Sequence, residues 1–217
     1  MSMMRLSEAA RAIPAELRGE DRVFEAVSTD TRTLAPQTLF VALKGERFDG
    51  HDFLGEAAAK RAAGALVQDS GLRTEDRGLS DRLPLLIVDD TRHSLGRLAA
   101  YWRRKFTMPL VALTGSNGKT TVKEMLAAIL REACAAQSSV ADPQSSVLAT
   151  RGNLNNDIGV PLTLLELGPG HRYAVVEMGM NHAGEIRYLT RLAAPDVALI
   201  NNAGPADRKS TRLNSSH

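Results

Sequence analysis

Short apolar runs and polar turns alternate over the first 83 residues. Three runs have the length and composition of buried β-strands, at residues 23–27, 39–43 and 65–68. Residues 52–63 are rich in alanine and are followed by Gly64, which predicts a short helix. The charged stretch 69–82 has no periodicity and predicts a surface loop. We therefore expect a small mixed α/β domain over residues 1–83.

A connecting segment is predicted over residues 84–108. It begins with an apolar strand at 85–88 and continues with a helix at 91–106. The helix carries a stripe of apolar side chains at helical spacing, formed by Leu95, Leu98, Ala99 and Trp102. The basic residues 103–105 fall at its C-terminal end, where positive charge is favourable, and we expect them to be solvated.

From residue 109 onward, strands and helices alternate. Buried strands are predicted at 110–113, 173–178 and 197–201. Helices are predicted at 121–133, 158–167 and 183–193. The apolar residues of the first of these helices are Val122, Met125, Leu126, Ile129 and Leu130. Strands that alternate with helices imply a parallel sheet with right-handed crossovers, so residues 109–206 are predicted to form an α/β domain.

Composition adds limits on location and cofactors. The chain has 217 residues, 43% of them hydrophobic, which suits one or two compact domains. It has no run of about 18 apolar residues and no apolar segment with a cleavage site near its start, so we expect neither a membrane span nor a secretory signal. Cys134 is the only cysteine, which excludes an internal disulfide and a cysteine-based metal cluster. A cytoplasmic location and a monomeric state are the default expectations.

The last eleven residues, Asp207 to His217, are polar and without periodicity. They are similar to the translation of a common sequencing adapter. We therefore expect that residues 207–217 are a non-native tail and that the native sequence continues beyond Ala206. A flexible native tail is the alternative. Without this tail, the 27 lysines and arginines and the 25 acidic residues become 24 of each. Because balanced charge gives no general attraction to nucleic acid, we expect no nucleic-acid partner.

The strongest chemical signal is a glycine-rich loop between a predicted strand and a predicted helix. This order lets backbone N–H groups and the positive end of the helix dipole bind phosphate. Lys119 is expected to contact the β- and γ-phosphates of ATP, and the Thr120 hydroxyl to ligate Mg²⁺. Leu113 occupies the position of the first glycine in the usual motif, so the loop is a variant. The residues predicted to bind the nucleotide are Gly115, Ser116, Asn117, Gly118, Lys119, Thr120 and Thr121.

This variant loop resembles that of the Mur ligase superfamily, whose members share a Gly-Thr/Ser-X-Gly-Lys-Thr/Ser core. Residues 150–165 and 173–186 are similar to the members of this family that add D-alanyl-D-alanine to a peptide precursor. Residues 28–32 and 39–51 are similar to the UDP-binding domain of such ligases. The resemblance spans residues 4–206, and its motifs occur in family order.

The resemblance implies an ATP-dependent amide ligase of peptidoglycan precursor synthesis. Its substrates would be ATP, UDP-N-acetylmuramoyl-tripeptide and D-alanyl-D-alanine, with Mg²⁺ as the metal and an acyl phosphate as the intermediate. The implied fold is a small mixed α/β N-terminal domain that binds the UDP end, followed by an incomplete P-loop ATPase-type parallel-sheet domain. The family pattern expects histidine where this chain has Asp207, and a later lysine and a C-terminal domain are missing. We therefore expect the chain alone to be inactive.

Glu177 is the candidate metal-binding carboxylate. It ends a predicted strand of the parallel sheet, and ligands bind at the carboxyl ends of such strands. It is expected to hold Mg²⁺ together with Thr120 and to act with Lys119 as a catalytic residue, while capping of a helix is the alternative.

The resemblance also implies that polar residues of the motif at 150–165 bind the peptide and sugar of the substrate. The four candidates are Thr150, Asn153, Asn155 and Asn156. Turn formation is the alternative for the asparagines. His182 is expected to contact substrate or phosphate, and a structural or solvated histidine is the alternative.

The N-terminal domain holds the candidates for binding the UDP group. Hydroxyl groups suit uridine or phosphate and cations suit the diphosphate, and the candidates are Ser28, Thr29, Arg32 and Lys44. Asp30 is expected to fix a turn. His51 is open to the same two interpretations as His182.

Two other classes of protein fit parts of this pattern. A related ligase, such as the one that adds the third peptide residue or folylpolyglutamate synthetase, would keep the loop at 114–121 but would need a different segment at 150–165. A nucleotide-binding module without catalytic activity would need only the loop. Preferential binding of UDP-N-acetylmuramoyl peptides would count against such a module.

Overall fold

The computed structural model describes residues 2–46, 48–72, 76–137 and 146–204. The tail predicted at 207–217 lies outside these residues. Across the described ranges, no helix is both long and apolar enough to cross a membrane.

The first part of the chain consists of short strands and helices, which are β1 (Met4–Arg5), α1 (Leu6–Ala12), β2 (Glu16–Arg18), β3 (Val23–Phe24), β4 (Ala26–Ser28), β5 (Thr38–Val41), α2 (Leu54–Ala59), β6 (Gly64–Gln68), β7 (Leu85–Val88) and α3 (Thr91–Arg103). Five of the strands form a sheet in the order β2-β7-β6-β5-β4, in which only β2 is antiparallel to its neighbour. Strands β5 and β7 are buried at every residue, because both faces of the sheet are covered. One face belongs to the main core, and the other packs on α2.

The second part alternates strands and helices, which are β8 (Leu110–Thr114), α4 (Lys119–Ala135), β9 (Val147–Ala149), α5 (Gly159–Leu165), β10 (Tyr173–Glu177), α6 (Glu185–Ala193) and β11 (Val197–Ile200). The four strands form an all-parallel sheet in the order β11-β8-β10-β9. Because β8 and β10 lie in the middle and are parallel, the loops that follow them leave the same edge of the sheet. The predicted class, a mixed α/β domain followed by a P-loop-type parallel sheet, is confirmed.

Helix α3 joins the two sheets through one continuous core. Its apolar stripe belongs to the same buried core cluster as residues of both halves of the chain, including Leu66 of the first sheet and Val176 of the second. The indole N–H of Trp102 also donates a hydrogen bond of 2.9 Å to the carbonyl of Leu167. Strand β7, which lies in the segment we predicted to be connecting, is a central strand of the first sheet.

Several predicted boundaries are wrong for identifiable reasons. The strand predicted at 23–27 is two strands, because β3 pairs with β1 whereas β4 joins the first sheet. The helix predicted at 52–63 is α-helical only at Leu54–Ala59 and begins with a 3-10 turn at Gly50–Phe53. The loop predicted at 69–82 contains short 3-10 turns. Elements of two or three residues, such as β1, β2 and β9, are too short to show a periodicity.

The buried face of α4 does not coincide with its apolar residues. Met125 and Ile129 are 60% and 62% exposed, whereas Lys123 is fully buried. The helix packs on β9 and β10 through a narrower face that includes Ala127 and Cys134. Apolar periodicity located the helix but did not fix its rotation.

Arg103 is buried, so the prediction that it is solvated is wrong. Its Nε donates to the carbonyl of Ala193 at 3.1 Å, and its Nη1 donates to the carbonyl of Phe106 at 2.7 Å. Its Nη2 lies 3.1 Å from a carboxylate oxygen of Asp196. The guanidinium therefore ties the end of α3 to the end of α6 and to the turn before β11.

Strand β11 is an edge strand with little cover. Val197, Leu199 and Ile200 are 55%, 40% and 69% exposed, although their side chains are apolar. Among the described residues β11 pairs only with β8, so its other side carries no strand.

Candidate active site

The glycine-rich loop connects the end of β8 to the start of α4. Gly115 and Gly118 have φ angles of +150° and +73°, which side chains rarely adopt, and they let the chain turn sharply into the helix. Helix α4 begins at Lys119, two residues before the predicted start. The backbone N–H groups of residues 118–121 have no hydrogen-bond partner among the described residues, as is usual for the first turn of a helix. They form a row of donors at the positive end of the helix dipole.

Lys119 lies folded over this loop. Its ammonium group donates to the carbonyl of Gly115 at 2.8 Å and approaches the carbonyl of Ser116 at 3.4 Å. Thr120 is exposed in the first turn of α4. Both side chains therefore lie where an incoming phosphate would meet the N–H groups of the helix.

Glu177 is held beside the loop at the end of β10, where it pairs in register with Leu113 of β8. It is 1% exposed, and its backbone N–H donates to the Thr150 hydroxyl at 2.9 Å. The Asn155 side-chain amide donates to Oε1 at 2.8 Å, whereas Oε2 has no hydrogen-bond partner in the described part of the chain. Glu177 caps no helix among the described residues, so the structure offers one unsatisfied carboxylate oxygen beside the loop.

Lys123, whose role was not predicted from the sequence, helps to hold Thr150 beside Glu177. Its buried ammonium group donates to the carbonyl of Thr150 at 2.7 Å and lies 2.9 Å from a carboxylate oxygen of Glu124. Lys123 comes one helical turn after Lys119, on the same side of α4 as Ala127. The one signal that could have revealed Lys123 is its position in α4, where it lies on the side of the helix that faces the sheet.

Thr150 is 1% exposed, and both its hydroxyl and its carbonyl are used inside the protein. We expect Thr150→Val to lower the free energy of unfolding by about 1–3 kcal/mol, because the buried N–H of Glu177 loses its acceptor. Urea denaturation measures the change, and Thr150→Ser, which keeps the hydroxyl, should lose clearly less. Thr107→Val is a matched control at an exposed threonine, and an equal effect there would contradict the prediction.

The asparagines of the next loop have different roles. Asn155 contacts Glu177, as described above, and its carbonyl accepts from the N–H of Gly179 at 2.7 Å. The Asn156 side chain accepts from the N–H of Gly159 at 2.8 Å, and this contact fixes the start of α5. Asn153 and His182 are exposed. Substrate binding by these residues and by Thr150 stays a prediction.

A second group of predicted residues lines a pocket in the N-terminal part. Its volume is about 500 Å³, and it is lined by Thr29, Asp30, Thr31, Arg32, Phe40, Phe48, Gly50 and Phe53. Phe48 and Phe53 are 61% and 40% exposed, so the pocket offers aromatic faces. The Arg32 side chain bonds to Asp30 and holds the pKa of that carboxyl at about 2. Asp30 also accepts from the backbone N–H of Arg32, which is the turn that we predicted.

Neither Lys44 nor His51 is among the described residues that line this pocket, and the two differ in exposure. The Lys44 side chain is 70% exposed and lies 3.7 Å from Asp49. His51 is buried, with Nδ1 facing Asp49 and Nε2 accepting from the backbone N–H of Gln68 at 2.9 Å. Both ring nitrogens are occupied, so the structural interpretation holds for His51.

A cleft of about 750 Å³ separates the two groups of residues. Ser28 and Thr29 lie on one of its walls, and Leu154 and Glu166 lie on the wall formed by the second half of the chain. The cleft therefore extends from the pocket of the first domain towards the asparagine loop. Thr29 lines both the cleft and the aromatic, charged pocket, so the two depressions are adjacent.

Comparisons with known proteins agree with this geometry. The Mur ligase middle domain matches residues 113–207, and the Mur ligase family catalytic domain matches residues 23–103. The UDP-N-acetylmuramoyl-tripeptide–D-alanyl-D-alanine ligase of Escherichia coli strain K12 is 48% identical over 206 residues, which are 95% of this chain and 41% of that protein. The chain thus spans about two fifths of the length of this curated relative.

Solved structures of similar fold come from the same family. A crystal structure of MurF from Acinetobacter baumannii has a TM-score of 0.79 and 38% identity, and the match covers 95% of this chain and 42% of that one. MurF ligase from Thermotoga maritima, crystallised in complex with ADP, has a TM-score of 0.67 and 33% identity, and the match covers 82% of this chain and 37% of that one. With both domain matches in the same order along the sequence, the chain belongs to the Mur ligase family.

Proposed function

We propose that this chain is the part of an ATP-dependent amide ligase that binds ATP and UDP-N-acetylmuramoyl-tripeptide, in an enzyme that adds D-alanyl-D-alanine to that peptide. The observation that carries the proposal is the row of unpaired N–H groups at residues 118–121, with Lys119 above it and the buried carboxylate of Glu177 beside it. Similarity to ligases of this activity supports the choice of substrates, as does the ADP bound to the Thermotoga maritima relative.

The residues beside the loop fit a magnesium ion. Mg²⁺ prefers oxygen ligands and is commonly held by one or two protein oxygens together with phosphate oxygens and water. Glu177 Oε2 is a buried oxygen to which none of the described residues donates, and the Thr120 hydroxyl lies in the first turn of the helix that follows β8. No group of three or more histidine, cysteine, aspartate or glutamate side chains that could hold a metal occurs in the described part of the chain. Bound Mg²⁺ would offset the negative charge of the phosphates.

The proposed chemistry activates a carboxylate that is otherwise a poor electrophile. The terminal carboxylate of the peptide attacks the γ-phosphorus of ATP, which forms an acyl phosphate and releases ADP. The amine of D-alanyl-D-alanine then attacks the acyl carbon, and phosphate leaves as the amide bond forms. Lys119 and the helix N–H groups stabilise the charge on the transferred phosphoryl group. The pocket near Arg32 holds the UDP end, which positions the distant peptide end.

Calorimetric titration tests the substrate assignment. We expect the chain to bind UDP-N-acetylmuramoyl-tripeptide at least about tenfold more tightly than UDP-N-acetylglucosamine, since the cleft adds contacts with the peptide. Arg32→Ala should weaken binding of both ligands by about tenfold, because one charge-assisted contact with the diphosphate is lost. Arg11→Ala removes an exposed arginine of α1 and should change neither affinity.

Equal affinity for the two ligands would argue against the ligase and in favour of a simple nucleotide-binding module. Release of ADP in the presence of all three substrates measures turnover separately. Robust turnover would contradict the expectation that the chain alone is inactive.

A further inference from the structure

The segment that follows β11 is bonded to the glycine-rich loop. Strand β11 pairs with β8 so that Ile200 lies opposite Thr114, and the segment and the loop therefore leave the sheet side by side. Asn202 makes the central contacts, since its side-chain oxygen accepts from the N–H of Ser116 at 2.8 Å and from the N–H of Asn117 at 3.0 Å. Its side-chain amide donates to the carbonyl of Asn117 at 3.0 Å.

Neighbouring residues strengthen this attachment. The Asn201 side-chain amide donates to the carbonyl of Asn117 at 2.7 Å. The Ser116 hydroxyl donates to the carbonyl of Gly204 at 2.6 Å and accepts from its N–H at 3.1 Å. The first half of the loop is thus hydrogen-bonded to a segment that lies about 85 residues later in the sequence.

The two loop glycines are needed for this close contact as well as for their backbone angles. A Cβ atom on Gly118 would lie 2.9 Å from the side-chain nitrogen of Asn201. A Cβ atom on Gly115 would lie 3.1 Å from the backbone nitrogen of Asn202. Gly115 and Gly118 therefore make room for the asparagine pair on one side of the loop.

The donors of the loop fall into two sets. The N–H groups of Ser116 and Asn117 are occupied by Asn202, whereas those of residues 118–121 have no partner among the described residues. An amide oxygen that accepts two successive N–H groups fixes the direction of both peptide planes. The same contacts fix where the loop enters α4, and so where the free donors point.

We infer that Asn202, assisted by Asn201, is a positioning residue of the phosphate-binding loop. It holds residues 116–117 in the shape that presents the N–H groups of residues 118–121 and the Lys119 ammonium group to phosphate. Ser116 and Asn117 then shape the loop, and the phosphates bind to the helix terminus. This inference rests on the nucleotide binding proposed above and adds a residue that touches the loop rather than the nucleotide.

The test combines a nucleotide-independent measurement with a binding measurement on the 217-residue chain. In Asn202→Ala, amide hydrogen exchange at Asn117 should become at least about tenfold faster without nucleotide, because its N–H loses its acceptor. The increase at Ser116 should be smaller, because its N–H keeps the backbone carbonyl of Asn202 at 3.3 Å. The Kd for ADP, measured by calorimetry with Mg²⁺, should rise about tenfold, because the free donors are no longer held in position. Gln137→Ala removes an exposed carboxamide two residues beyond the C-terminal end of α4 and should leave both values unchanged.

Asn202→Asp separates loop shape from ligand affinity. The carboxylate keeps an acceptor for both N–H groups, so exchange should stay close to that of the original chain, while its negative charge weakens ADP binding in a salt-dependent manner. Unchanged or tighter ADP binding by Asn202→Ala would overturn the inference. If the original chain bound no ADP, the proposed nucleotide binding would be wrong, and the exchange rates alone would test the contact between Asn202 and the loop. Equal exchange rates in the original chain and in Asn202→Ala would then overturn that contact.

Discussion

Lys119→Met should weaken ATP binding by about tenfold to a hundredfold, because a hydrogen bond from a charged group contributes about 1.5–3 kcal/mol. Within the described ranges, the ammonium group bonds only to carbonyl oxygens of the loop, at Gly115 and Ser116, and it can turn towards phosphate at the cost of those bonds. The free energy of unfolding should change little, because these two contacts are with a partly exposed loop.

Calorimetric titration with ATP and Mg²⁺ measures this effect. Adenosine is the matched control ligand, since it lacks the phosphates, and its weaker binding should be the same for Lys119→Met and the original chain. Lys119→Arg keeps the charge and should retain part of the affinity for ATP. The assignment of the loop would be wrong if Lys119→Met bound ATP as tightly as the original chain.

Arg103→Met should lower the free energy of unfolding by about 3 kcal/mol. The substitution keeps most of the apolar volume but leaves the carbonyls of Ala193 and Phe106 without their donor. It also removes the contact with Asp196, whose carboxylate additionally accepts from the N–H of Leu110 at 2.8 Å. The loss falls on the junction of α3, α6 and β8, so both halves of the chain should be affected.

Urea denaturation followed by circular dichroism measures this loss. Arg104→Met is a matched control at the next residue, which is exposed, and it should change the free energy of unfolding by less than about 0.5 kcal/mol. Equal effects of the two substitutions would show that the buried guanidinium contributes no more than a solvated one.

The features that could be predicted from the sequence are those set by local pattern. The strand predicted at 110–113 is β8, and the glycine-rich loop follows it as the order of elements required. The position of Glu177 at the end of a parallel strand also followed from the alternation of strands and helices. In each case a short stretch of sequence contains the whole signal, because strand, turn and helix start are adjacent.

The features that were missed depend on contacts between distant residues. Lys123 and Arg103 are polar residues in amphipathic helices, and their burial depends on which acceptors the neighbouring elements supply, namely the carbonyls of Thr150 and Ala193. The contact of Asn202 with the loop depends on the pairing of β11 with β8. Helical periodicity predicts the width of an apolar face, but it does not show which neighbouring groups accept hydrogen bonds from a buried cation.

The exposed edge of β11 bears on how this chain behaves in concentrated solution. Its outer side presents backbone donors and acceptors without a strand among the described residues, next to apolar side chains at Val197 and Ile200. Such an edge is a template on which the strand of another molecule can pair. Natural sheets usually protect an edge of this kind with a charge, a proline or a bulge, and the apolar sequence of β11 contains none of these. Self-association by strand addition is thus the aggregation route that the uncovered edge of β11 offers to this chain.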